Sequence, residues 1–194
     1  MFGLFKQKKS IQVTDLIWKT ERIKYDALIK QLQDNNKHIL IYFFEDTKKS
    51  IVDELQTASI NFSENTSSNA HILVLKSTQI LQMSSAENVN IIFVEHYPLL
   101  STEQKLKQHI LEVLNIQNVT FYTSFEDELF QLFGAEKILA IMEKMGFNEN
   151  EPMSHNLISS SIEKAQQKIE EKVSIDTNTR QRKDWFVMYA SNIS

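Results

Sequence analysis

The chain has 194 residues and a mass of 22.6 kDa, and 42% of its residues are apolar or aromatic, enough to build the core of one ordinary domain with a modest appendage. Its 21 Lys and Arg stand against 25 Asp and Glu for a net charge of −4, which excludes the strong positive field of a nonspecific nucleic-acid binder and gives no general pull toward anionic lipid. The absence of cysteine removes disulfides, thiolate zinc sites and a cysteine nucleophile, and the scattered glycines (Gly3, Gly134, Gly146) leave no cluster from which a phosphate-cradling loop or dinucleotide fingerprint could be made.

Residues 1–11 read as a flexible tail. Phe2, Leu4 and Phe5 precede three lysines, the reverse of the charge order in a signal peptide, and the stretch is too short to span a bilayer. A cytoplasmic chain with no stable membrane insertion is expected. Thr20 can cap a helix running to about Asp34, with Tyr25, Leu28, Ile29 and Leu32 on one face. The run His38 to Phe44 is continuously apolar and β-branched, as in a strand covered on both sides. A second amphipathic segment begins near Asp46 and carries Ile51, Val52 and Leu55. Ser59 to Phe62 reads as a short strand and Ser63 to Asn69 as a loop.

Two more buried-type strands follow at Ala70–Leu75 and Val89–Val94, on either side of a short apolar segment around Ile80, Leu81 and Met83. Beyond Pro98, Ser101 with Gln104 spells a capping box, and Leu106, Ile110, Val113 and Leu114 form the stripe behind it. Val119–Thr123 is the last strand. Strands alternating with helices argue for an α/β fold with a mostly parallel sheet over 12–123, because parallel neighbours require crossovers.

After Thr123 the alternation stops, and 124–173 reads as a helical extension. Ser124 and Asp127 suggest another box. A helix with Ile138, Ile141, Met142 and Met145 is expected between Gly134 and Gly146, and a longer one from His155 to about Val173. Its stripe is Ile158, Ile162, Ala165 and Ile169. Residues 174–194 read as a C-terminal tail in which Trp185 to Tyr189 could dock as one short element.

Two segments carry a family resemblance. Phe121 to Lys172, FYTSFEDELFQLFG through EPMSHNLISSSIEKAQQKIEEK, resembles the SecA preprotein translocase ATPase where its second motor domain passes into the helical scaffold. Phe121, Tyr122, Ser124, Glu126, Asp127, Leu129, Phe133 and Gly134 match the family's FYLSLEDDLFRRFG. Gly146, Glu149, Glu151, Pro152, His155, Ile158, Ile162, Glu163, Ala165, Gln166 and Lys168 match the stretch that follows. Asp15 to Ile29, DLIWKTERIKYDALI, is similar to the family's DLIYKTEEAKFKAVI. The resemblance implies a RecA-like half-motor followed by the start of the scaffold.

The same resemblance argues against catalysis. Ungapped counting from Glu95 to Phe121 places the family's three nucleotide-reaching arginines at Lys107, His109 and Glu112. An arginine that meets phosphoryl charge supplies about 10³ to 10⁵ in rate, and a carboxylate at Glu112 would repel it. The family's TNMAGRGTD loop has no counterpart near Ser77 to Glu87, and the first motor domain with its Walker A lysine has none in these residues. The resemblance therefore implies a truncated, non-catalytic relative with no cofactor.

Other groups read more simply. The histidines (His38, His71, His96, His109, His155) lack metal-binding spacing, and no metal is expected. The acids Glu126, Asp127 and Glu128 fit a helix dipole, and Ser159 to Ser161 a helix surface. The stripe Ile158, Ile162, Ala165, Ile169 must be covered by the chain itself, by a second copy or by another protein. Two functions remain: a catalytically inactive interaction or regulatory module in protein export, partnered by a translocase component, a client or itself, or a weak nucleotide- or phosphate-binding domain without turnover at the strand ends.

Overall fold

The structure, a computed structural model, describes residues 10–132, 148, 150–177 and 179–189. The expected helix between Gly134 and Gly146 and most of the N-terminal tail lie outside the described residues.

Five strands form one all-parallel sheet: β1 (Gln12–Trp18), β2 (Lys37–Tyr42), β3 (Ile72–Lys76), β4 (Val89–Phe93) and β5 (Asn118–Ser124), in the spatial order β1-β5-β4-β2-β3. Their crossovers carry α1 (Glu21–Gln31), α2 (Glu45–Thr57), α3 (Ser77–Ile80) and α4 (Leu100–Glu112). Then come α5 (Glu128–Leu132), α6 (Asn156–Glu170) and α7 (Arg182–Tyr189). This is the α/β RecA-like architecture that the alternation and the resemblance implied, with the helical extension after β5.

Because successive strand residues face opposite ways, the sheet feeds two cores. Leu40, Tyr42, Val74, Ile92 and Tyr122 meet Tyr25, Leu28 and Leu55 of α1 and α2. On the other face Ile39, Ile41, Phe93 and Phe121 meet Ile110 of α4, Leu129 of α5, and residues of α6 and α7. The extension thus shares the sheet's core. Phe93 stacks on Phe121 at 4.4 Å between ring centroids, across neighbouring strands.

Sequence and structure part in several places. β1 was not expected: in QVTDLIW the buried positions are Asp15, Ile17 and Trp18, and an acid at the first of them hides the strand. Residues 59–62 form no strand. The chain there touches β3 through one parallel bridge, Ser63 to Leu73, with Ser63 N–H donating to Ile72 C=O at 3.0 Å and Val74 N–H to Ser63 C=O at 2.9 Å. The Ser101 box does not form, because α4 begins at Leu100 behind Leu99, and the Ser101 amide and hydroxyl turn to Glu170 of α6. Nor does Ser124 form a box: its hydroxyl is buried without a hydrogen-bond partner, and Asp127 alone caps α5 by accepting from Leu129 N–H at 3.1 Å. Thr20 does cap α1, accepting from Ile23 N–H at 3.3 Å.

The free side of β1 is met at Ile17, which exchanges two backbone hydrogen bonds with Met153 at 3.0 and 2.8 Å. That short antiparallel bridge and the Ser63 bridge on β3 each protect one edge of the sheet.

The stripe of α6 is buried in this core. Ile162→Ala is expected to cost about 2–5 kcal/mol, lowering Tm by roughly 5–15 °C. Thermal unfolding at several protein concentrations checks it: a loss that shrinks with dilution would mean that the stripe packs against a second copy.

Candidate functional site

From β2 the chain passes outward to β3, while from β4 it passes the other way to β5. The crevice between the carboxyl ends of β2 and β4 is therefore the switch point, where open α/β sheets hold ligands. Here a side chain of the protein fills it. Glu95, two residues past β4, is fully buried, and its Oε1 accepts the backbone N–H groups of Phe43 at 2.6 Å and Phe44 at 3.0 Å. Its Oε2 accepts from the Thr47 hydroxyl at 2.5 Å in the first turn of α2. Amides that open a helix suit an anion, and the anion here is tethered. Burial pushes the Glu95 carboxyl up to about 7, against the opposing pull of Arg182 and of the hydrogen bonds from Thr47, Phe44 and Phe43.

Arg182 reaches this carboxylate from the far end of the sequence. One terminal nitrogen lies 3.1 Å from Asp127 Oδ2 and 3.7 Å from Glu95 Oε2, the other 3.0 Å from Glu21 Oε1, and Nε 2.5 Å from Glu128 Oε2. Burial works against its charge, but Asp127, Glu95, Glu128 and Glu21 together hold the guanidinium well above its ordinary range. The backbone follows: Glu45 N–H donates to Arg180 C=O at 2.8 Å and Arg182 N–H to Asp46 Oδ2 at 3.1 Å, so the arm completes the start of α2.

Lys24 of α1 is also wholly buried, its Nζ 3.6 Å from Glu21 Oε1 and 3.4 Å from Val94 C=O. Burial lowers its ammonium below the usual lysine range. An aromatic wall adjoins the ions: Tyr97 packs on Phe43, Phe44 and Trp185, with ring centroids 5.0, 5.6 and 6.2 Å away. Trp185 has no exposed surface and donates to Asp176 at 3.0 Å.

A second buried cluster begins one residue later. His96 lies flat on Phe121 at 4.2 Å, with Nδ1 3.0 Å from Glu103 Oε1 and Nε2 3.4 Å from Asp15 Oδ1. Burial opposes its protonation, but the flanking Glu103 and Asp15 carboxylates outweigh it and raise the imidazole to about 10. The reciprocal attraction holds Asp15 below the usual carboxylate range despite burial. A cavity of about 240 Å³ adjoins the cluster, lined in part by Lys107, Ser159 and Gln166.

The three positions aligned with the family's arginines lie along α4. Lys107 Nζ sits 6.0 Å from the Phe121 ring centroid, His109 Nε2 is 3.0 Å from Met83 C=O, and exposed Glu112 accepts from Gln108 at 3.1 Å. Glu112 lies about 18 Å along the helix from Leu100 at 1.5 Å per residue, toward the amino ends of the strands. The ions at the crevice instead include none of the three. Ile158, Ile162, Ala165 and Ile169 are buried in the chain's own core, so the stripe presents no open face.

Among the described residues no group of three His, Cys, Asp or Glu could hold a metal ion. His38 bonds Asp34 at 2.8 Å and His155 caps α6 by accepting from Leu157 N–H at 3.1 Å. The acids at 126–128 do more than match a dipole: Glu126 accepts from the Glu21 N–H at 2.8 Å, and Asp127 and Glu128 grip Arg182. Lys24 carried a signal that sequence reasoning missed, a lysine four and eight residues before Leu28 and Leu32 in an apolar stripe. Arg182, among three basic residues of RQRK, carried none.

No family model matches the chain. Its curated relatives are protein translocase subunits SecA. That of Syntrophus aciditrophicus (strain SB) is 27% identical over 183 residues, taking in 81% of this chain and 22% of the relative. That of Parabacteroides distasonis is 51% identical over 51 residues, 26% of this chain and 4% of the relative, and that of Desulforapulum autotrophicum 54% over 50 residues, 26% and 6%. The chain is SecA-like over most of its length and spans about a fifth of the first of these relatives. No helix among the described residues is long and apolar enough to cross a membrane.

A carboxyl raised by folding adds stability below its unfolded value, and that contribution is lost as pH rises through its folded value. For Glu95 the window runs from 4.5 to about 7. Asp15 and Glu21, both lowered, act at more acid pH, and His96, raised from 6.5 to about 10, acts at more alkaline pH. Between pH 5.0 and 6.5 the chain is expected to lose several degrees of Tm, and Glu95→Gln to flatten that slope. Thermal unfolding at the two pH values reads both.

Proposed function

We propose that this chain is a catalytically inactive SecA-like interaction or regulatory module in protein export, acting in the cytoplasm on a translocase component or a client and releasing no phosphate from ATP. The observation that carries this reading is the occupied switch point. A phosphate at the Phe43 and Phe44 amides would have to displace the Glu95 carboxylate already bonded to them. It would then face the carboxylates of Glu21, Asp127 and Glu128. Phosphoryl transfer depends on positioned cations. The cations in contact with this cluster, Arg182 and Lys24, are committed to carboxylates or buried without surface, and Lys76 at the end of β3 is paired with Glu45 at 2.8 Å.

The export role comes from the relatives, which are subunits of the protein translocase. A protein partner is carried over from that subunit role and suits a chain with no excess positive charge. The alternative, weak binding of a nucleotide or phosphate ligand without turnover, draws on the same two amides, which have the geometry for a phosphate oxygen.

Purified chain is expected to give no saturable heat with ATP or ADP and no phosphate release above a buffer control. A saturable heat abolished by substitution at Thr47 would favour the alternative, and motor-like phosphate release would overturn both. Affinity recovery from the native host, read by mass spectrometry, is expected to bring down translocase components, and their repeated absence would remove the export assignment.

A further inference from the structure

The ring of carboxylates at the strand ends carries more negative charge than its occupant. Glu21, Glu95, Asp127 and Glu128 surround one guanidinium, with the Lys24 ammonium paired to Glu21 and also within the field of Asp127 and Glu95. The ring is also shaped for that ion. The two terminal nitrogens of Arg182 donate to different carboxylates, Asp127 and Glu21, while Nε lies against Glu128 as a charge contact without a hydrogen bond, a forked grip that the point charge of a lysine cannot make.

Host and guest belong to different parts of the molecule. The ring is carried by α1, by the exit of β4 and by the turn into α5, all packed on the sheet. The guest comes on an arm joined through residues 171–181, where no described residue belongs to a helix or strand and most are exposed. α7 itself has only eight residues, too few to hold a helix without its dock. Docking uses Arg182, Trp185 and Phe186, while Val187 and Met188 stay 64% and 57% exposed.

We propose that the ring is a guanidinium receptor, filled here in cis by Arg182, and that a partner protein's segment with an arginine three residues before a large aromatic can take the same place. The inference rests on the reading of this chain as an interaction module and gives its partner a chemistry. A segment arriving in trans competes with a tethered one whose effective concentration is of millimolar order. Its apparent affinity for the intact chain is reduced by that competition, and replacing the cis arginine lowers the tax by weakening the arm that Trp185 and Phe186 still dock.

The test uses the full chain, its Arg182→Lys and Arg182→Ala variants, and a fluorescent peptide of residues 179–189. The conservative Arg182→Lys variant keeps the charge and serves if Arg182→Ala does not fold. By fluorescence anisotropy, both variants are expected to bind the peptide at least tenfold more tightly than the intact chain. A peptide carrying Arg182→Lys is expected to bind at least tenfold more weakly than its parent. Equal binding of the two peptides, or no saturable binding to either variant, overturns the receptor without touching the export reading. Conversely, translocase components recovered undiminished on an Asp127→Asn chain would overturn the receptor while upholding a partner in export.

Discussion

One carboxylate ties the molecule together. Glu95 joins the end of β4 to the end of β2 through two amides, to α2 through a hydroxyl, and to the last helix through Arg182. Each contact lies where a strand stops and its backbone groups would otherwise lack partners, so the side chain does the work that a ladder or cap does elsewhere. Phe44, at the cap position of α2, offers no side-chain acceptor, and the neighbouring acids Glu95 and Asp46 supply the missing ones.

A buried ion cluster of this kind contributes little net stability compared with well-packed apolar side chains, because desolvation opposes the attraction of its members. What it does is select one arrangement. Removing a single member leaves the others buried and uncompensated, so helix, strand ends and arm are held to the same register. His96, clamped between Asp15 and Glu103, does the same between β1 and α4. Consecutive residues past β4 thus anchor two clusters at the sheet's carboxyl end, the region where open α/β sheets commonly hold ligands.

Legibility followed the physics. Strands whose both faces are apolar, such as His38 to Tyr42, announce themselves as unbroken runs, and α1 declared itself by its threonine cap. β1 was hidden because the residue that should have been apolar, Asp15, is an ion-pair partner. The caps at Ser101 and Ser124 were misread because local spacing could not reveal that Glu170 would claim one serine and that Asp127 would act without the other. The carboxylate ring was invisible for the same reason: Glu21 and Arg182 are 161 residues apart, and no periodicity links them. What tertiary contact assembles, one-dimensional pattern does not show.

The pairing of the first strand with the fifth, Gln12 opposite Asn118, has a temporal meaning as well as a spatial one. A ribosome adding roughly 5–20 residues per second exposes β1 for several seconds before its neighbour exists, and Arg182 emerges later still. Until then the acids that will surround it stand in water, mutually repelling, on a half-made sheet. Completion of the native state is therefore a late, long-loop event, and the nascent polypeptide spends its youth with an uncovered edge, the condition in which a growing chain most needs a holding factor.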